Sequence, residues 1–94
     1  LNCEISGGFK IPHPQGVVIH PEAEIGPNCL LFQQVTLAGK VEMGHHVEVG
    51  AGAKILGPLK IGDNVRIGAN AVVTHDVPSG DTVVGIPARS LNDN

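Results

Sequence analysis

The sequence contains no Trp and no Tyr, two Phe (Phe9 and Phe32) and two Cys (Cys3 and Cys29) among 94 residues. With so little aromatic volume and a load of 13 Gly and 7 Pro, a compact helical or α/β domain is a poor fit. Small side chains and frequent turns point instead to stacked short strands. The two thiols have neither a CxxC nor a metal-ligand spacing, and read as small buried hydrophobes in a reducing cytoplasm. Excess positive charge is lacking too. Six Lys and Arg, scattered along the chain, leave a net charge of −3, which argues against nucleic acid or an anionic membrane as partner and allows only local basic sites. No apolar run approaches the roughly 20 residues of a membrane-spanning helix, so a cytoplasmic protein is expected. The chain opens on Leu1 rather than Met, which leaves room for a segment or domain ahead of it. A single ordinary core of this size is marginal without metals, disulfides or partner subunits, so burial must come from another source.

What is present is a six-residue period. One column runs Ile19, Ile25, Leu31, Leu37, Met43, Val49, Ile55, Ile61, Ile67 and Val73 without a polar residue. A second runs Ile5, Ile11, Val17, Ala23, Cys29, Val35, Val41, Val47, Ala53, Leu59, Val65, Ala71 and Val77. Between the columns stand turn formers such as Gly26-Pro27-Asn28, Gly62-Asp63-Asn64 and Gly68-Ala69-Asn70, residue types that accept the positive φ of a tight corner. A 3.6-residue period fits neither column. Each hexad therefore reads as one short strand and one corner, and three hexads close a triangular coil of eighteen residues. The expected architecture is an all-β, single-stranded parallel β-helix of four to five coils, with Leu31, Val49 and Ile67 stacked in one line and Ile25, Met43 and Ile61 in another. Its hand is left open by the period. One domain over 1–94 is expected, with a first coil at 1–18, regular hexads at 19–78 and a cap at 79–94; from Pro78 to Arg89 two prolines and two glycines stop the repeat. So slender a prism leaves its faces exposed, and a homotrimer is the natural way to bury one of them.

The first column breaks at one place that matters. Carried back from Ile19 it reads His13, while Val17, Ile11 and Ile5 keep the second column in register. His13 thus holds a position that is aliphatic in ten later hexads, between Pro12 and Pro14. Two readings remain open from the pattern: a solvated histidine in a frayed first coil, or a general base, since imidazole titrates near neutrality and can take a hydroxyl proton. His20, His45, His46 and His75 fall at outward or corner positions, where a solvated side chain is the default. Some β-helix relatives hold zinc with a close histidine pair plus a distant one, a spacing that positions 13, 20, 45, 46 and 75 do not suit, so no metal is expected.

The stretches IPHPQGVVIHPEAEIG (11 to 26), FQQVTLAG (32 to 39), VGAGAKILGPLKIGDNVRIGANAVVTHDVP (49 to 78) and VVGIPAR (83 to 89) resemble the hexapeptide-repeat acyltransferases, in particular their serine O-acetyltransferase branch, over residues 1 to 89. The resemblance implies a left-handed coil, a trimer, and acetyl-CoA lying along the helix axis between neighbouring subunits. It implies that His13 is the catalytic base and that Gly39, Ala51, Ala69 and Arg66, with Gly85, Pro87 and Arg89 of the cap, line the acetyl-CoA cleft. Small residues there would let the pantetheine arm approach backbone amides, while Arg66 and Arg89 could meet phosphates. Three departures stand beside it. The Asp that orients the histidine in those enzymes falls ahead of Leu1, and only a gapped match offers Glu4. The loop that carries a second histidine for the acceptor is absent, because Ala38-Gly39-Lys40-Val41 continues the hexads. The helical N-terminal domain of the longer enzymes is also missing from this sequence. The expectation is an acetyl-CoA-dependent O-acetyltransferase acting on a small hydroxyl-bearing acceptor. The alternatives are a sugar or polysaccharide O-acetyltransferase of the same fold and a non-catalytic trimeric relative.

Overall fold

A computed structural model describes residues 15–91, so His13 and Glu4 lie outside the described residues. Twelve short strands follow one another with no helix among the described residues: β1 (Val18–Ile19), β2 (Glu24–Ile25), β3 (Leu30–Leu31), β4 (Thr36–Ala38), β5 (Val41–Met43), β6 (Glu48–Val49), β7 (Lys54–Leu56), β8 (Leu59–Ile61), β9 (Arg66–Ile67), β10 (Val72–Val73), β11 (Thr82–Val84) and β12 (Arg89–Ser90). Strands three apart pair in parallel, save that β9 pairs with β11, giving the sheets β1-β4-β7-β10, β2-β5-β8 and β3-β6-β9-β11, the last extended by an antiparallel β12. These are the three walls of a left-handed parallel β-helix of about four turns.

The period explains the walls. Residues eighteen apart face each other, as Ile19 faces Leu37, Leu37 faces Ile55 and Ile55 faces Val73. Both sequence columns point inwards: Leu31, Val35, Leu37, Val41, Val47, Val49, Ile55 and Val65 are fully buried, and among the described residues no charged or polar side chain is buried with them. The expected stacks of Leu31, Val49 and Ile67, and of Ile25, Met43 and Ile61, are present. The core is a column of aliphatic layers, which is how a chain with only two aromatic residues, Phe9 and Phe32, fills its interior.

Two of the three corners turn through a left-handed residue in every coil. Gly16, Gln34, Gly52 and Asn70 form one such stack, with φ between 60° and 76°, and Asn28, His46 and Asn64 the other, at 57° to 61°. Asn and Gly suit these positions because they tolerate positive φ. The corner stacking is tight enough to exclude a side chain on the inner flank: a Cβ on Gly50 would stand 2.6 Å from the main-chain nitrogen of Ala69 in the next coil.

One register differs from expectation. Val77, read from the sequence as a second-column residue, pairs with Ile61 of the first column, sixteen residues away. Thr82 and Val83 keep that shortened offset against Arg66 and Ile67, so the final coil has lost two residues at the corner of Thr74, His75 and Asp76. The loss removes a main-chain acceptor. In full coils the amide just before a first-column residue donates to a carbonyl of the next coil, as Leu30 does to Val47 and Glu48 does to Val65. The equivalent Lys60 amide donates instead to Asp76 Oδ1 at 2.8 Å. A carboxylate on a short corner thus replaces the missing backbone.

Candidate functional site

The corner joining β6 to β7 recurs one coil later between β9 and β10, and it stacks Ala51 beneath Ala69. The Asn70 amide donates to the Ala51 carbonyl at 2.8 Å and that of Gly52 to the Gln33 carbonyl at 2.9 Å, so the left-handed residues carry the inter-coil bonds. The amides of Ala51 and Ala69 themselves donate to no protein acceptor among the described residues. Ala69 is exposed and Ala51 half-buried. Two unpartnered N–H groups behind methyl side chains form a shallow, amide-bearing ledge that a chain with its own amide and carbonyl groups can approach closely.

A cavity of about 380 Å³ lies against this ledge, lined by Phe32, Gly50, Arg66, Gly68, Ala69 and Thr82 among others. Its cation is Arg66 on β9, whose Nε meets Glu48 Oε2 on β6 at 3.0 Å. The Arg66 side chain is 73% exposed, so the pair adds little to stability and serves mainly to aim the guanidinium along the outer face of the sheet. Gly85 comes in from the cap: its carbonyl accepts from the Val72 amide at 3.0 Å, while the Ala88 amide donates to the Val72 carbonyl at 2.8 Å. Residues 85–88 therefore take the place of a further strand on β10, one level above Ala69.

The remaining expected cleft residues do not join this group. Gly39 (φ 85°) follows β4 at the far end of the same sheet, where it packs on the Gly57 backbone of the next coil. Pro87 and Arg89 line a different cavity of about 410 Å³ at the open end of the coil, together with Val73, Val77, Val83 and Asp81. Phe32, Gly50, Gly68 and Thr82 were not singled out from the sequence. The signal available for the two glycines was their eighteen-residue spacing, which puts them on one corner in consecutive coils. Cys29 is buried and free, and its thiol is pushed up chiefly by burial, a main-chain hydrogen bond at Val47 opposing the rise. It is a packing residue, as expected. His20 accepts from the Glu22 amide at 3.0 Å and His75 contacts Thr74 Oγ1 at 2.9 Å, so both serve local turns. Among the described residues no three His, Cys, Asp or Glu converge as a metal site, and no helix is long and apolar enough to cross a membrane.

Residues 40–75 match the family of bacterial transferase hexapeptide repeats (six repeats). The chain is 51% identical to a serine acetyltransferase of Synechococcus elongatus, over 95% of its own length and 40% of that protein. The structure is similar to serine acetyltransferase from Brucella abortus strain S19 in complex with coenzyme A, with a TM-score of 0.87 and 33% identity over 92% of this chain and 38% of that one. It is similar as well to the Neisseria gonorrhoeae serine acetyltransferase in complex with serine, with a TM-score of 0.84 and 36% identity over 88% of this chain and 37% of that one. The chain spans about two fifths of the length of these relatives.

Proposed function

The chain belongs to the hexapeptide-repeat acyltransferases, on their serine acetyltransferase-like branch, and from that premise we propose that it transfers the acetyl group of acetyl-CoA to the hydroxyl of a small acceptor, serine first. The observation that carries this reading is the likeness at 51% identity across 95% of the chain, which runs through both the PHP segment and the cap. The ledge of Ala51 and Ala69 supports it, because two main-chain N–H groups without protein partners suit the amide carbonyls of a pantetheine arm, and Arg66 offers a guanidinium to phosphate. A cavity of about 380 Å³ takes only part of so long a substrate. A neighbouring subunit of a homotrimer supplies the other wall in this proposal. Gly39, Gly85, Pro87 and Arg89 are retained as further contacts along the run of the substrate. Dependence on acetyl-CoA puts the reaction in the cytoplasm.

In the proposed step His13 takes the proton of the acceptor hydroxyl as its oxygen attacks the thioester carbonyl. The C–S bond then breaks, coenzyme A leaves as the thiol after protonation from the imidazolium, and the ester remains on the acceptor. No acyl-enzyme is needed. Glu4 is the candidate carboxylate for orienting His13.

His13→Ala is expected to abolish coenzyme A release with the right acceptor while leaving the oligomer and its coenzyme A affinity intact. Undiminished turnover in that variant would overturn the proposal, and absence of saturable acetyl-CoA binding in calorimetry would favour a non-catalytic relative. A second reading of the acceptor rests on the corner between β4 and β5, which is just Gly39 and Lys40. With no inserted loop there, the acceptor side stays open enough for a sugar hydroxyl. Thiol release measured over a panel of amino acids and sugars separates the two.

A further inference from the structure

His45 and His46 occupy the corner between β5 and β6, and their side chains meet: the two Nδ1 atoms are 2.9 Å apart, with ring centroids at 5.0 Å and planes at 88°. In an extended strand two consecutive side chains would point to opposite faces. Here the left-handed turn at His46 (φ 57°) interrupts that alternation and puts both rings on one corner. Asp63, eighteen residues on and one coil higher, holds the first ring from behind. Its Oδ2 stands 3.3 Å from His45 Nε2, and its Oδ1 accepts from the His45 amide at 3.0 Å. Asp63 is itself held, since its amide donates to Ser79 Oγ at 2.9 Å.

We propose that this corner is a binding site for a first-row transition-metal ion of tetragonal preference, Cu(II) or Ni(II), with His45 Nδ1 and His46 Nδ1 as cis ligands and water in the remaining positions. The proton arrangement favours it. A carboxylate beside Nε2 keeps the His45 proton on that atom, so Nδ1 presents its lone pair. What separates the two Nδ1 atoms is the single proton that His46 contributes. Moving that proton to the other nitrogen of the His46 ring frees a second lone pair with no change in net charge, and rotation of the two exposed rings turns both lone pairs towards one point. The 2.9 Å separation is that of a hydrogen bond, and it shows that both Nδ1 atoms reach one point on the corner. Among divalent first-row ions a pair of imidazole nitrogens binds Cu(II) most tightly. A carboxylate behind a ligating imidazole is the outer support that histidine metal sites commonly have.

The stacking supplies the surroundings. Asn28 and Asn64 share the left-handed position of His46 in the coils below and above, about 4.8 Å away on either side. Both line, with His46, Leu30, Glu48 and Arg66, a cavity of about 370 Å³ on the side of His46 that His45 does not face. Because no third ligating residue converges among the described residues, the ion is exchangeable rather than structural. Other hexads carry Gly-Pro-Asn or Gly-Asp-Asn at this corner, so the paired imidazoles are a feature of this one coil.

The test is calorimetric titration of the full chain with CuCl₂, NiCl₂ and ZnCl₂, and electron paramagnetic resonance of the copper form, on a Cys3→Ser background so that this thiol takes no part. One ion per chain, an affinity order of copper over nickel over zinc, and hyperfine structure from two imidazole nitrogens are expected. His46→Gln should weaken binding at least tenfold. Asp63→Asn, with circular dichroism unchanged, should weaken it by about 10–100-fold, while His20→Gln and His75→Gln change nothing. Equal binding by His46→Gln, a stoichiometry that follows His20 or His75, or zinc bound more tightly than nickel would each overturn the assignment.

Discussion

Replacing Asp76 tests whether a side chain really substitutes for backbone in the shortened coil. The Lys60 amide donates to Asp76 Oδ1 at 2.8 Å, and hydrogen bonds to charged groups contribute about 1.5–3 kcal/mol. Both residues are exposed, so water takes up part of the loss when the carboxylate is removed. Asp76→Ala should therefore weaken local closure at β8 by about 1–2 kcal/mol, a factor of about 5–30 in the opening equilibrium. Asp76→Asn keeps an oxygen acceptor and should cost less than about 1 kcal/mol. Amide hydrogen exchange reads this directly: the Lys60 amide should exchange about 5–30 times faster in Asp76→Ala and only a few times faster in Asp76→Asn, while the amides of Leu37 and Ile55, deep in full-length coils, keep their protection. Equal Lys60 exchange in the three proteins, or an Asn variant as impaired as the Ala variant, would refute the substitution of carboxylate for carbonyl.

Ala69→Leu adds bulk to the exposed ledge, so the fold should be unchanged within about 0.5 kcal/mol. Binding of coenzyme A should fall about tenfold or more in calorimetry, and unaltered affinity would remove Ala69 from the donor cleft. Leu37→Ala empties a site of 0% exposure and should cost about 2–5 kcal/mol in denaturant titration. A loss below about 1 kcal/mol would mean that the aliphatic column is not the core. The Cys29 thiol, raised by burial, should resist a thiol reagent at pH 8 until the protein unfolds. Its linkage has a definite sign. A raised folded value means a contribution to stability that is complete below the unfolded thiol value of about 8.5 and is lost as the pH climbs towards the folded one, so Cys29→Ser should flatten the decline in melting temperature between pH 8 and pH 10.

The fold was legible because inward residues recur at a spacing that no helix or two-residue alternation reproduces, from Ile19 to Val73. The shortened last coil was not. Val77 and Val83 are aliphatic and satisfy either column, so hydrophobicity carries no trace of the two missing residues, and only the pairing of Val77 with Ile61 exposes them. Within the candidate site, Ala51 and Ala69 could be paired from their eighteen-residue separation, and Arg66 follows from its place on the strand before. Pro87 and Arg89 escaped such reasoning because the cap leaves the period and crosses the end of the coil. The same eighteen-residue rule links His45 to Asp63, a pairing that becomes visible once the corner is treated as a column and not as a solvated turn.

The antiparallel β12 has a bearing on how the molecule avoids growing into a fibre. A stack of parallel coils ends in open strand edges, and two such ends in matching register invite head-to-tail addition of further molecules. Here β12 reverses direction against β11, and residues 85–88 take the hydrogen-bonding edge of β10 through Val72. Two of the three walls are thereby closed to a parallel newcomer, and at the third Val77 already occupies the place over Ile61. Head-to-tail addition of parallel coils is thereby blocked at this end of the described residues.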